Sequence, residues 1–326
     1  MNPLVPPAIA IIEARGLTRK YGDLVAVDRI DFTVARGEVF GFLGPNGAGK
    51  STTVRMLTGY IPPTAGTITV AGYNLLSHPG AARGHLGVVP EEANVYADLT
   101  VWQNVMLMAE LHGVSKETRT QRGKELAAMF GLGERVKQKG RQLSKGLRQR
   151  LMLCMALVTE PDILFLDEPT SGLDVASSRL IREIITRMNQ AQGMTVFLTT
   201  HNIEEADQLC HRIAIINKGH IAAIDTPRAL RATVQSRRSV EVRFAQVSLP
   251  PDGMLDFGAG TETVRFAQGF RIFGAQPGRI AQELANRASV QGLRIEHLST
   301  LEPSLEEVFL HIISRGVTPA AEKIHA

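Results

Sequence analysis

"GPNGAGKS", residues Gly44–Ser51, decides how this chain is read. It fits G-x-x-x-x-G-K-[ST], with the apolar run "EVFGFLG" leading into it and a helix-forming run from Lys50 behind it. Gly44, Gly47 and Gly49 allow backbone angles that side chains resist, so consecutive N–H groups can turn inward around phosphate oxygens. In this pattern Lys50 reaches the β- and γ-phosphates of a nucleotide, and the Ser51 hydroxyl ligates Mg²⁺. The N-terminus of the following helix adds partial positive charge. A plain glycine turn would explain the glycines but has no use for a lysine aimed into the loop.

"ILFLDEPTSGLD", Ile163–Asp174, supplies the complementary half. An apolar strand ending in two adjacent carboxylates sends Asp167 and Glu168 to opposite sides of the backbone. Asp167 fits an outer-sphere Mg²⁺ ligand, and Glu168 a general base that polarises the attacking water. Alone, an acidic pair at a strand end is commonly a solvated turn. With a phosphate loop upstream, the catalytic reading outweighs it.

Composition sets the outer limits. The 326 residues leave room for one large domain and a smaller one. Apolar residues at 44% and charged residues at 21% are ordinary for a core-forming globular protein. The net charge of +4, from 36 basic and 32 acidic residues, is too mild to point to nucleic acid, and no nucleic-acid partner is expected. Two cysteines, Cys154 and Cys210, cannot make a disulfide framework and read as packing thiols in a reducing compartment. The start "MNPLVPPAIAIIEARG" lacks a basic region and carries three prolines before position 8, so a signal peptide is not expected. No stretch approaches the roughly 20 apolar residues of a membrane span. Any membrane step is therefore expected to need another chain.

Strand-like and helix-like segments alternate, which implies an α/β fold with a largely parallel core sheet. "AIAIIEAR" and "LVAVDRIDFTV" open an antiparallel region closed by the turn at Ala35–Gly37. Residues 95–158 turn helical: Thr100 and Gln103 form a capping box, and Lys116–Phe130 continues helically to Gly131. "DILFLDE" and "GMTVFLTT" read as buried strands flanking an amphipathic helix, Asp174–Gln190, and "RIAIINKGHIAAI" as a hairpin turning at Lys218-Gly219. An Arg-rich stretch (Arg228, Arg231, Arg237, Arg238) marks a boundary near residue 235, and reads as a solvated linker face rather than a membrane or RNA site. The remainder reads β-β-β-α-β-α. Two of its strands repeat "VRFAQ", at Val242–Gln246 and Val264–Gln268, in a pattern that suits half-buried strands of one sheet.

"LSKGLRQRL", 143–151, poses a separate question. A helix starting there carries Lys145, Arg148 and Arg150 at the end where the macrodipole disfavours cations. A nucleic-acid backbone, an acidic membrane surface or a ligand phosphate could compensate.

Taken together, the sequence resembles the ATP-binding subunit of an ABC transporter over about residues 9–230. The likeness rests on Tyr21, the loop at 44–51, "LSKG" at 143–146, the strand ending in Asp167 and Glu168, "SGLD" at 171–174, and "TTH" ending at His201, in that order. The resemblance implies a P-loop NTPase of ABC type, residues 9–235, with an antiparallel β subdomain and a helical subdomain at about 95–158. A small C-terminal α+β domain, 236–314, and tails at 1–8 and 315–326 complete it.

It further implies a head-to-tail dimer with two ATP molecules between the copies, each site completed by Ser144 and Gly146 of the other copy. The cationic helix start then meets a γ-phosphate in trans. Tyr21 would stack on adenine; Gly44, Pro45, Asn46, Gly47, Ala48, Gly49, Lys50, Ser51 and Thr52 would hold the phosphates. His201 would contact the γ-phosphate and help position Glu168, and Asp174 would lie at the dimer interface. Two departures stand out: "LSKGL" has Lys145 and Leu147 where the family has Gly and Gln, and "GVVPEEANVY" puts Glu91 where a Gln normally faces Mg²⁺. Glu91 can ligate the metal but cannot donate a hydrogen bond. These departures, and a C-terminal segment ending "LEPSLEEVFLHII", resemble the drug-exporter branch of daunorubicin-resistance ATPases. The resemblance implies separate transmembrane permease subunits and a peripheral position on the cytoplasmic face of the membrane. An importer ATPase with a regulatory C-terminal domain, and a soluble ABC-type ATPase acting on nucleic acid or ribosomes, are the alternatives.

Overall fold

Strand β1 (Ala10–Tyr21) pairs antiparallel with β2 (Leu24–Ala35), and every buried residue of β2 (Val27, Ile30, Phe32, Val34) is apolar. A computed structural model describes residues 10–92, 94–234, 237–245, 253–266 and 269–314. Both expected tails lie outside these residues, as do Gln246, Ala267 and Gln268 of the repeated pentapeptide. Next come β3 (Val39–Leu43), α1 (Lys50–Leu57), β4 (Ala65–Val70), β5 (Tyr73–Asn74), the short α2 (Pro79–Arg83) and β6 (Leu86–Val89). One antiparallel sheet has the order β2-β1-β4-β5. β4 and β5 extend the region that the sequence located only by its first two strands.

Helices α3 (Val101–Leu111), α4 (Lys116–Met129) and α5 (Lys145–Leu157) follow. The Thr100 hydroxyl accepts the Gln103 N–H while the Gln103 side chain accepts the Thr100 N–H, so the expected capping box starts α3. Buried Asn104 ties α3 to the preceding loop: its amide bonds the backbone of Tyr96 twice and the carbonyls of Leu99 and Thr100.

β7 (Ile163–Asp167), α6 (Val175–Gln192), β8 (Thr195–Thr200), α7 (Ile203–Leu209), β9 (Arg212–Asn217) and β10 (His220–Asp225) complete a second sheet of order β10-β9-β3-β8-β7-β6. Every residue of β3, β7 and β8 is buried, as befits central strands covered on both faces. The pairs β3–β8, β3–β9, β7–β8 and β6–β7 are parallel. Lys218 and Gly219 both have positive φ, the geometry of a tight hairpin turn between β9 and β10.

Five phenylalanines join the two sheets. Phe32 of β2 meets Phe40, Phe42 and Phe197, and Phe197 also meets Phe165, with ring centroids 5.3–6.0 Å apart. Phe197 touches all four others. Phe197→Ala should therefore cost about 3–5 kcal/mol, read by denaturant unfolding; a loss below about 1 kcal/mol would contradict this packing.

The chain divides between Ile224 and Asp225, earlier than the boundary expected near residue 235. Helix α8 (Pro227–Ala232) belongs to the second unit and packs on its last helix. That unit runs β11 (Ser239–Phe244), β12 (Glu262–Phe266), β13 (Gly269–Phe273), α9 (Pro277–Val290), β14 (Ile295–Leu301), α10 (Leu305–Ser314), the expected β-β-β-α-β-α order. Its antiparallel sheet, β12-β13-β11-β14, buries Val240, Val242, Phe270 and Ile272 together with Ile280, Leu284 and Ala288 of α9. The pentapeptide echo is not a structural repeat. Val242 is fully buried on an inner strand, whereas Val264 is 43% exposed on the edge strand β12, so only one copy is half-buried. Arg237 and Arg238 pair with Glu262 and Glu302.

Candidate nucleotide site

β3 delivers the chain to the loop at 44–49, where Gly47 (φ 79°) and Gly49 (φ 107°) take left-handed backbone angles. A Cβ on Gly49 would lie 2.6 Å from the Ala26 carbonyl oxygen, and one on Gly44 would strike the Ile216 carbonyl. Neither position has room for a side chain. Among the described residues, the N–H groups of Asn46, Gly47, Gly49, Lys50, Ser51 and Thr52 donate to no acceptor in the chain. The Ala48 N–H is used locally, by Pro45 O. Helix α1 has no acidic residue in its first turn, so no carboxylate of its own competes for these donors. A ring of unmet donors at a helix start fits a polyphosphate.

The charged groups converge beside that ring. Lys50 is 5% exposed; its Nζ donates to Gly44 O at 2.8 Å and Pro45 O at 3.3 Å, and pairs with Glu168 Oε1 at 3.2 Å. The other Glu168 oxygen, Oε2, lies 2.7 Å from His201 Nδ1 and accepts the His201 N–H at 3.3 Å. Glu168 itself has φ 51°, uncommon for a residue with a side chain and typical of backbone strained at a functional site. Its N–H donates to the Thr199 carbonyl and hydroxyl, which helps hold that angle. Ser51 Oγ donates to Asp167 Oδ1 at 3.2 Å, and Thr199 Oγ1 donates to the same oxygen at 2.5 Å. No three His, Cys, Asp or Glu side chains cluster as a metal site among the described residues. Ser51 and Asp167 suit Mg²⁺, which takes one or two protein oxygens plus phosphate oxygens and water.

Ser144 caps α5, its Oγ accepting the Leu147 N–H at 3.3 Å. Asp174 caps α6, and Gly146 presses the two helix starts together: a Cβ there would sit 2.7 Å from Ser177 Oγ. Asp174 accepts the Ser177 N–H and the Ser177 hydroxyl, each at 2.8 Å, and these bonds hold its carboxyl below the usual range. Arg150 Nη2 donates to the same hydroxyl at 3.0 Å. Among the cations of α5, Arg150 thus faces an anion inside the chain, Asp174. Lys145 does not share it; its amine lies over the Cα of Gly172 in the "SGLD" turn.

A model of the ABC transporter family matches residues 27–171. The linearmycin resistance ATP-binding protein LnrL of Bacillus subtilis is 32% identical over 308 residues, 94% of this chain and 99% of that protein. This chain belongs to the ABC transporter family. Another ABC relative, the daunorubicin/doxorubicin resistance ATP-binding protein DrrA of Streptomyces peucetius, is 37% identical over 322 residues, 96% of each chain. The probable multidrug ABC transporter ATP-binding protein YbhF of Escherichia coli is 42% identical over 226 residues; the match spans 69% of this chain but 39% of YbhF. Two solved ABC structures share the fold. An ATP-binding subunit of an ABC transporter superposes with TM-score 0.63 at 31% identity, covering 68% of this chain and 92% of that one. A dimeric ATP-binding cassette in a post-hydrolysis state, bound to ADP and Pi, gives 0.61 at 26% identity, covering 66% of this chain and 98% of that one.

Three expected ABC site residues, Tyr21, Asp174 and His201, fall outside the family match at 27–171. Tyr21 ends β1, 44% exposed, with the Arg19 guanidinium 4.7 Å from its ring centroid. Arg19 was missed as part of that platform, although its place two residues before Tyr21 on one strand puts both side chains on the same face. Glu91 sits exposed on the bend after β6, the strand that pairs with β7, and among the described residues it makes no direct bond to Ser51 or Asp167. Thr199 was missed as well; the "TT" before His201 was its only trace.

Proposed function

We propose that this ABC protein binds and hydrolyses ATP to drive a membrane transporter that exports drugs or other small hydrophobic compounds. The observation that carries the proposal is the buried Glu168 carboxylate, held between Lys50 and His201 at the edge of a ring of unmet N–H donors. The loop donors and Lys50 bind the phosphates, and Ser144 with Gly146 of a second copy closes over the γ-phosphate. Glu168 Oε takes a proton from the attacking water while His201 fixes the carboxylate's orientation. Ser51 and Asp167 would hold Mg²⁺, which would supply charge neutralisation at the phosphates. The export direction is supported by relatives named for multidrug transport and for daunorubicin and linearmycin resistance. No described helix is long and apolar enough to cross a membrane, so the transport path is assigned to separate permease subunits, with this chain peripheral on their cytoplasmic side. The test is phosphate release by the purified chain with Mg-ATP. Steady release is expected; none, at saturating nucleotide and with binding intact, would contradict the proposal.

A further inference from the structure

Glu205, in α7, is a buried carboxylate with no part in the chemistry above. It is 1% exposed. Its Oε1 accepts the Thr170 hydroxyl at 2.7 Å, and Thr200 also hydrogen-bonds it. These two residues belong to the two segments that meet at the reaction centre. Thr170 lies in the tight turn after Glu168, where the Ser171 N–H donates to Glu168 O at 3.1 Å. Thr200 immediately precedes His201, and its hydroxyl accepts the Asn202 N–H at 2.9 Å. The Asn202 side chain in turn caps α7 by accepting the Glu205 N–H at 3.1 Å.

We propose that Glu205 is a positioning residue for hydrolysis: one buried carboxylate ties the Glu168 turn to the His201 segment and so fixes how Glu168 and His201 meet. Two features make such a tie necessary. Glu168 holds a left-handed backbone angle that must be imposed by its surroundings. His201 is half exposed, so only one side of its ring is braced by packing. Burial pushes the Glu205 carboxyl above its ordinary range, the nearby Glu168 charge pushes the same way, and the Thr170 and Thr200 bonds pull it back. A carboxylate kept in so unfavourable a place by two hydroxyls is a structural tie, not a surface group of a helix.

The inference rests on the ATPase reading. Glu205→Leu should lower kcat for Mg-ATP by about tenfold or more, with Mg-ATP affinity by calorimetry within about threefold of wild type. Thr170→Val, which removes the same bond and keeps the side chain's shape, should act in the same direction. Glu205→Gln keeps an acceptor for Thr170 and should retain most of kcat. The proposal is overturned if kcat is unchanged in both Glu205→Leu and Thr170→Val. It is equally overturned if binding and kcat fall together and Glu205→Gln is no better than Glu205→Leu. Where Glu205→Leu fails to fold, Thr170→Val and Glu205→Gln decide. A wild-type chain that binds Mg-ATP without turnover would instead sink the ATPase reading, and this one with it.

Discussion

Glu168→Gln should reduce ATP turnover by about 10²–10⁴-fold while Mg-ATP still binds. Glutamine has the shape of glutamate. Its Oε1 can still accept from Lys50 and its amide can face His201, the two groups that hold Glu168 at 3.2 Å and 2.7 Å. An amide cannot take a proton from water, so the loss falls on the chemical step. The lysine, the loop donors and the Ser51–Asp167 pair are untouched by the change. Phosphate release and calorimetric binding separate the two quantities. Turnover within about threefold of wild type would remove Glu168 from the role of base.

Lys50→Ala should abolish useful nucleotide binding, and it should also destabilise the fold. The two effects have one cause. Among the described residues, Lys50 is the only cation paired with Glu168 other than His201, and both Lys50 and Glu168 are more than nine-tenths buried. Removing the ammonium takes a charge-assisted contact from the phosphates, worth about a factor of 10–100 in affinity. It also strands a buried carboxylate, at a cost of about 3 kcal/mol, the low end for a broken buried pair because His201 remains. The double change Lys50→Ala with Glu168→Gln should recover most of the stability and none of the binding. Unchanged affinity in Lys50→Ala would contradict the loop's assignment. Equal stability of the single and double variants would contradict the buried pair.

Much of this site was legible because its signals are local. The loop at 44–51, the Thr100–Gln103 box and the Lys218-Gly219 turn are each written within a few residues, where backbone geometry admits few residue types. The run "ILFLD" is buried from end to end, as its composition requires of a central strand. What the sequence hid lies between segments far apart in the chain. Nothing in "NIEEAD" marks Glu205 as buried; the first glutamate of that pair is a surface residue and the second is not. The pairing of Lys50 with Glu168 bridges β3's loop and β7's end, which only the sheet order brings together. The two "VRFAQ" strands differ because one lies inside a sheet and the other at its rim, a fact set by neighbours rather than by the five residues.

The central claim is that one copy of this chain cannot finish its own site, because Ser144 and Gly146 serve the phosphate of a partner copy. Sedimentation velocity on the Glu168→Gln variant, with saturating Mg-ATP and without nucleotide, tests it most directly. The account predicts a monomer without nucleotide and a two-copy species with it, lost again when Ser144 is replaced by arginine. A single-copy species at every nucleotide concentration, together with wild-type turnover strictly proportional to protein concentration, would contradict it.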